Sequence, residues 1–326
     1  MKPFTYHRAT SLHDAVTTLA ARANARIIAG GTNLLDLMKL QIEMPQQLVD
    51  INGLGLDTIA GVENGGLRFG AMVRNTDLAA HQIVRQQYGV LTRAIVAGAS
   101  GQIRNRATTA GNLMQRTRCP YFYGTAMGCN KREPGSGCDA LNGISSNLAI
   151  LGTSDACIAT HPSDMAVALR ALDAVVHVLG TEGEHSIPIA DFHRLPGDTP
   201  HIETALRPGE IITAVEVPAP LGGVHVYRKV GERASYAFAT VSVALVARVD
   251  GASVTIERLA FGGLAAKPWR VEAAERRGAG TPEEVARDAA AIILEGARPT
   301  DRNRYKMALA QRTLHAALID AQEQSR

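Results

Sequence analysis

The chain's four cysteines, Cys119, Cys129, Cys138 and Cys157, all fall in one stretch of a 326-residue sequence. The intervals between them hold nine, eight and eighteen residues, rich in Gly, Pro, Ser and Asn. Such a segment has little means of burying a core of its own, so another force must fix its shape. Four thiolates on a metal centre supply one, because the binding free energy replaces missing hydrophobic burial. The tight C-x-x-C knuckles of zinc ribbons are absent. A [4Fe–4S] cluster takes four cysteines and tolerates long, irregular loops. The residues therefore rank an iron–sulfur cluster first and a four-cysteine zinc site second. Two disulfides or unrelated core thiols stand behind these, since free cysteine is a common core residue and a chain this long needs no disulfide staples. Only Cys157, in Asp155-Ala156-Cys157-Ile158-Ala159-Thr160, has core-like surroundings.

Two glycine-bearing loops could meet an anion. Ile28-Ala29-Gly30-Gly31-Thr32-Asn33-Leu34-Leu35 reads as strand, glycine turn, helix, an order that aims backbone N–H groups and a helix N-terminus at a phosphate. It has neither the G-x-G-x-x-G of a Rossmann turn nor the G-K-[ST] of a P-loop, and a Gly-Gly turn before a helix is often only a turn. The second loop, Ala99 to Asn112, is dense in Ser, Thr, Asn and Gly and leads toward Cys119. Its Thr108, Thr109, Gly111 and Asn112 offer donors to a sugar-phosphate, or else serve a solvated loop held by its own bonds.

The elements around these residues divide the chain in three. Ser11 to Leu19 reads as a helix, with Ser11 and Asp14 as a capping box. Arg26 to Ala29 and Leu48 to Ile51 read as short buried strands, which makes residues 1–56 a small α/β unit. In residues 57–220, Leu67 to Val73 alternates as a strand, and one helix is expected from Thr76 or Asp77 to Ala97. The polar residues 98–117 follow, then the cysteine insertion over about 115–160. Ala174 to Leu179 and Ile211 to Val217 read as strands. Pro218, Pro220 and Gly222-Gly223 mark a linker. In residues 223–326, Val241 to Val249 and Val254 to Phe261 form a hairpin at Asp250-Gly251. One closing helix starts at the capping box of Thr281 and Glu284 with Pro282 at N1; the other starts near Thr300 or Asp301. The fold class is α+β.

Composition excludes several roles. The net charge of +3 is spread along the chain and aromatic content is 4%, which argues against a nucleic-acid surface. No window approaches the ~18 apolar residues of a membrane span. The N-terminal residues carry no apolar export signal and no twin arginine. No G-x-S-x-G nucleophile motif occurs. His13, His81, His161, His177, His185 and His201 show no ligand spacing and read as surface or satisfied core residues; Lys131-Arg132 reads as a solvated face or subunit contact.

AGGTNLL, GAMVRNTDL, the IRNRATTAGN loop, Pro162-Ser163-Asp164 and Tyr227-Arg228-Lys229 occur in this order. Together they resemble the FAD-binding (medium) subunit of the molybdenum hydroxylases, the xanthine dehydrogenase and aldehyde oxidoreductase family. The four-cysteine insertion resembles the subset that includes the periplasmic aldehyde oxidoreductase and 4-hydroxybenzoyl-CoA reductase and that holds an additional [4Fe–4S] cluster. The resemblance implies a two-lobed FAD-binding region of the vanillyl-alcohol oxidase type followed by an α+β C-terminal domain. It implies that Ile27, Ile28, Ala29, Gly30, Gly31, Thr32, Asn33, Leu34 and Leu35 hold the FAD pyrophosphate. Thr108, Gly111 and Asn112 would contact FAD from the second loop, Asp164 would bind ribityl or adenosine hydroxyls, and Lys229 would lie near the isoalloxazine edge. Cys119, Cys129, Cys138 and Cys157 would ligate the cluster. The implied partners are a small [2Fe–2S] subunit and a large molybdenum-cofactor subunit, on which an aldehyde is oxidised, in a heterotrimer. Electrons would pass through this chain's FAD to an external acceptor. Without a Rossmann fingerprint NAD is not favoured, and quinone, ferredoxin, cytochrome or oxygen remain. The complex would be periplasmic by co-export with a twin-arginine partner, or cytoplasmic. Rival readings are a reductase of aromatic acyl-CoA thioesters, a xanthine dehydrogenase-like subunit, and a non-catalytic scaffold with a four-cysteine zinc site.

Overall fold

A computed structural model describes residues 1–326. The chain opens with β1 (Thr5–Arg8), α1 (Leu12–Ala20), β2 (Ala25–Ile28), α2 (Leu34–Lys39) and β3 (Gln47–Asp50). The strands form a parallel sheet in the order β1-β3-β2. Ser11 Oγ caps α1 by accepting from Asp14 N, but the Asp14 carboxylate bonds Thr10 N and not the Ser11 N–H, so only half of the expected box forms. A small core of Ala15, Val16, Val49 and Ile51 closes this unit.

The middle stretch runs β4 (Ile59–Gly61), β5 (Leu67–Gly70), α3 (Asn75–Ala80), α4 (Gln82–Gln87), α5 (Gly89–Ala97), α6 (Gly101–Arg104), α7 (Thr109–Leu113), α8 (Pro120–Tyr123), α9 (Asp164–Ala171), β6 (Val175–Gly180), β7 (Gly183–Pro188), α10 (Ile189–Phe192) and β8 (Ile211–Val217). Its five strands form an antiparallel sheet, β4-β5-β8-β6-β7. The single helix expected up to Ala97 is three helices. His81, at φ −59° and ψ 129°, and Tyr88, at φ −123° and ψ 44°, leave the helical region and turn the chain twice. The polar stretch 98–117, read as loop, contains two short helices capped by Ser100 and Thr108.

The last stretch holds β9 (Val224–Val230), β10 (Val241–Asp250), β11 (Ser253–Gly262), a 3-10 turn (Glu272–Arg277), α11 (Pro282–Ile293) and α12 (Tyr305–Gln324). The three strands form an antiparallel meander. Both faces of β10 are buried. Ala244 and Val246 join the core of the middle stretch, while Val243, Leu245 and Ala247 join the core beneath α11 and α12. That is why its sequence reads as a near-continuous apolar run. The reciprocal Thr281–Glu284 box forms at α11. α12 begins at Tyr305 because the Asn303 side chain accepts from Thr300 N and holds residues 300–303 in a turn. No helix is long and apolar enough to cross a membrane.

One buried cation ties the C-terminal helix to the rest. Lys306 is fully buried, and Nζ donates to Leu148 O at 2.9 Å and Gly263 O at 2.8 Å, with no carboxylate partner. Burial pushes its ammonium down to about 7. The unfolded chain, near 10.4, therefore binds more protons than the folded one between these values, so Lys306 makes stability rise as pH rises through that window. In Lys306→Met the contribution vanishes. The difference in stability, wild type minus variant, should grow between pH 7 and 10 by up to about 1.4 kcal/mol per pH unit. Thermal melts of both proteins across this range give the slope; parallel curves would mean that Lys306 does not titrate there.

Candidate functional site

The glycine turn after β2 and the loop before α7 pack backbone against backbone. A Cβ built at Gly30 would lie 1.9 Å from Arg106 O and 3.3 Å from Ala107 Cα. Gly31 has φ +74°, the left-handed region that favours glycine. Side chains then tie the loops together. Asn52 Nδ2 donates to Ala29 O at 3.1 Å, and Arg74 donates to both Asn52 Oδ1 and Arg106 O. Thr109 N and Ala110 N bond Val73 O and Ala71 O, which seats the second loop on the strand exit.

Between these loops, the start of α9 and the edge of the C-terminal sheet lies a solvent-open cleft, about 2310 Å³ of space free of protein atoms. It gathers Thr32, Asn33, Gly111, Asn112, Asp164 and Lys229. The other expected contacts stand behind this wall. Ile27 and Ile28 are in β2, Ala29, Gly30 and Gly31 form the turn, and Leu34 and Leu35 begin α2. Thr108 is buried and its hydroxyl accepts from Gly111 N at 3.2 Å, so its visible task is capping α7. Asn33 does not cap α2: its Oδ1 accepts from Arg116 N, while its buried Nδ2 has no partner. A donor of that kind beside a glycine turn and a helix start suits an anionic ligand oxygen.

Opposite, Asp164 is the first residue of α9 and is buried beside the cleft. Its carboxylate accepts from Lys229 Nζ at 2.7 Å and from Tyr227 Oη at 2.6 Å; Lys229 also donates to Ala97 O. Burial raises the Asp164 carboxyl above its ordinary value, and the lysine and tyrosine pull it back. The β9 residues Tyr227 and Lys229 are thus locked to α5 and α9.

The cysteine insertion carries a second cavity, about 280 Å³ of space free of protein atoms, lined by all four thiols. None is in a disulfide. Burial raises Cys119 to about 11 and pushes Cys138 and Cys157 upward. One backbone amide donates to a sulfur, Ala159 N to Cys157 Sγ at 3.4 Å, and the amides that follow Cys119 and Cys138 lower those thiols against the effect of burial. No three Cys, His, Asp or Glu side chains draw together closely enough to hold one metal ion. A single tetrahedral zinc would need its sulfurs about 3.8 Å apart, from Zn–S bonds of ~2.3 Å. A cluster binds each sulfur to a different iron and takes N–H···S bonds. Four thiols around one cavity give the number of donors such a cluster takes, and their spacing does not suit a single ion.

Lys131, read from sequence as a solvated face or subunit contact, is buried and lines this cavity, with Nζ donating to Pro200 O at 2.9 Å. Cys119 lines both cavities. Sequence reasoning also passed over Arg104, Arg118 and Phe238, which line the cleft. Arg118 stacks over the Phe238 ring at 4.8 Å, and its position next to Cys119 was the one available signal.

Residues 2–220 match the FAD binding domain in molybdopterin dehydrogenase, and residues 226–321 match the CO dehydrogenase flavoprotein C-terminal domain. The chain belongs to the family of FAD-binding subunits of the molybdenum hydroxylases. It is 57% identical over 329 residues to the aldehyde oxidoreductase FAD-binding subunit PaoB of Escherichia coli, covering 100% of both chains. The glyceraldehyde dehydrogenase medium chain of Sulfolobus acidocaldarius is 27% identical, covering 92% of this chain and 90% of its own. The solved carbon monoxide dehydrogenase of Hydrogenophaga pseudoflava superposes with a TM-score of 0.75 at 27% identity, over 99% of this chain and 98% of that one. As the resemblance implied, the fold is the FAD-binding α+β region of this family with its C-terminal domain, and the chain is an oxidoreductase subunit that uses FAD.

Proposed function

We propose that this chain is the FAD-bearing electron-transfer subunit of a molybdenum-dependent aldehyde oxidoreductase and that Cys119, Cys129, Cys138 and Cys157 hold a [4Fe–4S] cluster. The observation that carries the first part is the 57% identity to an aldehyde oxidoreductase FAD-binding subunit over the whole chain. The four unpaired thiols around one cavity, with Ala159 N donating to the Cys157 sulfur, support the second. In this reading residues 1–56 and 57–220 are the lobes that grip FAD, and 223–326 closes the cleft through Lys229.

Bound FAD supplies the ability to take electrons singly and release them singly or in pairs. The chain's own residues bind and orient it. Thr32 and Asn33, which the glycine turn brings to the cleft wall, would meet the pyrophosphate, with Asn33 Nδ2 as a free donor. Gly111 and Asn112 approach from the other loop without bulky side chains. Lys229, fixed by Asp164, would hold a positive charge in the cleft, which suits the negative charge that a reduced flavin gathers. Substrate chemistry belongs to a large molybdenum subunit, and a small [2Fe–2S] subunit delivers electrons to this chain, which passes them to an external acceptor.

Anaerobically purified protein should contain one FAD and about four irons per chain, in line with a cube of four metals. Cys129→Ser with Cys138→Ser should lose the iron and keep FAD. Zinc without iron, or a double variant still fully loaded with iron, would end the cluster assignment while leaving the flavin. In the assembled complex, an aldehyde added without acceptor should bleach the flavin band; a band that only xanthine bleaches would assign a different partner chemistry.

A further inference from the structure

His161 was expected to be a surface or satisfied core residue, and it is neither. It stands in the segment that runs from Cys157 to Ser163-Asp164 and lines the cleft. Its backbone is fixed by His161 N donating to Ala265 O. Its ring packs on the buried His193, centroids 4.1 Å apart and planes tilted by 45°. His193 bonds the Leu113 carbonyl through Nε2 at 3.0 Å, so Nε2 carries the proton and Nδ1 is a bare acceptor. That Nδ1 is buried without a partner, and so is His161 Nε2.

These two facts favour one tautomer of His161. An Nε2–H buried against a neighbouring ring that offers a lone pair and a π face is favourable; two lone pairs buried together are not. Burial, with His193 and Lys131 nearby, holds His161 well below its ordinary value, so the ring is neutral at pH 7. The proton on Nε2 leaves Nδ1 as a lone pair on a residue of the cleft wall. A phosphate cannot use an acceptor.

We infer that His161 is a further cofactor-binding residue, a neutral acceptor at Nδ1 for a hydroxyl or ring N–H of the bound dinucleotide, positioned by His193. This rests on FAD occupying the cleft as proposed above. The division of labour is physical: the glycine turn and Asn33 supply donors for phosphate oxygens, and His161 supplies an acceptor for the uncharged polar part.

The test uses the full chain stripped of flavin and retitrated with FAD. His161→Phe keeps the ring stack and removes both nitrogens, and it should weaken FAD binding about tenfold, the worth of one hydrogen bond. His161→Gln, with an amide oxygen as acceptor, should recover much of that. In [15N]His-labelled wild type, one unprotonated Nδ1 resonance, assigned through the glutamine variant, should shift when FAD is added. A folded phenylalanine variant with unchanged FAD affinity would overturn the inference. If that variant does not fold, the labelled wild type decides, and histidine signals indifferent to FAD would overturn it equally. A wild-type chain that takes up no FAD would instead remove the flavin reading itself.

Discussion

Gly30→Ala should give protein that folds poorly and carries no FAD, whereas Gly101→Ala should match wild type. The added methyl at residue 30 would sit 1.9 Å from Arg106 O, a backbone atom that also accepts from Arg74. Contact at an ordinary van der Waals separation needs more than 3 Å, so the two loops must part by more than 1 Å. Overpacking inside a well-packed region typically costs about 1–3 kcal/mol, and here the clash is with main chain that cannot rotate away. Parting the loops also breaks the path from Ala29 O through Asn52 and Arg74 to the second loop, which joins the two loops beside the cleft. Gly101 has open space around its Cβ direction and lies exposed in α6, so alanine there tests the substitution without the collision. Flavin absorbance per chain and melting temperature give both answers. Wild-type flavin content in Gly30→Ala would show that the cofactor does not depend on this loop contact.

What the sequence made legible follows from how locally each feature is determined. Asp250-Gly251 marked a hairpin because a turn is settled by its own residues, and Gly251 has φ +58°. Thr281, Pro282 and Glu284 marked a helix start for the same reason. α9 went unread because all eight of its residues are buried, so no polar face marks a helical period. The three-helix path from residue 75 to 97 hid behind a continuous apolar pattern, since tertiary packing makes the breaks at His81 and Tyr88. The cysteines announced shared chemistry but not shared space. Intervals of nine, eight and eighteen residues say nothing about closure, which depends on contacts such as Cys129 paired with Cys138 in an antiparallel bridge. Lys131 and His161 were misread because charge and polarity normally signal solvent. Lys131 is buried and His161 half-buried, each lining a cavity that no residue spacing in the sequence reveals.

The Asp164–Lys229 pair should show the strongest energetic coupling in the molecule. Lys229→Met leaves a carboxylate buried at the start of α9 with only Tyr227 to donate to it, and removing one partner of a buried pair costs about 3–5 kcal/mol. Asp164→Asn should cost a similar amount by stranding the ammonium, which then keeps only Ala97 O. The double variant buries no unpaired charge and should recover much of the loss, so a double-mutant cycle should return a coupling of about 2 kcal/mol or more. The pH dependence gives a second sign. In Lys229→Met the Asp164 carboxyl, already raised by burial, loses the charge that lowered it and rises further. The folded variant then holds a proton that the unfolded chain gives up near 3.9, so its stability falls as pH rises above that value. The gap from wild type should widen toward neutral pH and close on acidification. Urea unfolding of the four proteins at pH 5 and pH 8 measures both quantities. Additive losses with a gap independent of pH would mean that the pair is solvated, and Lys229 would then be free to meet the ligand alone.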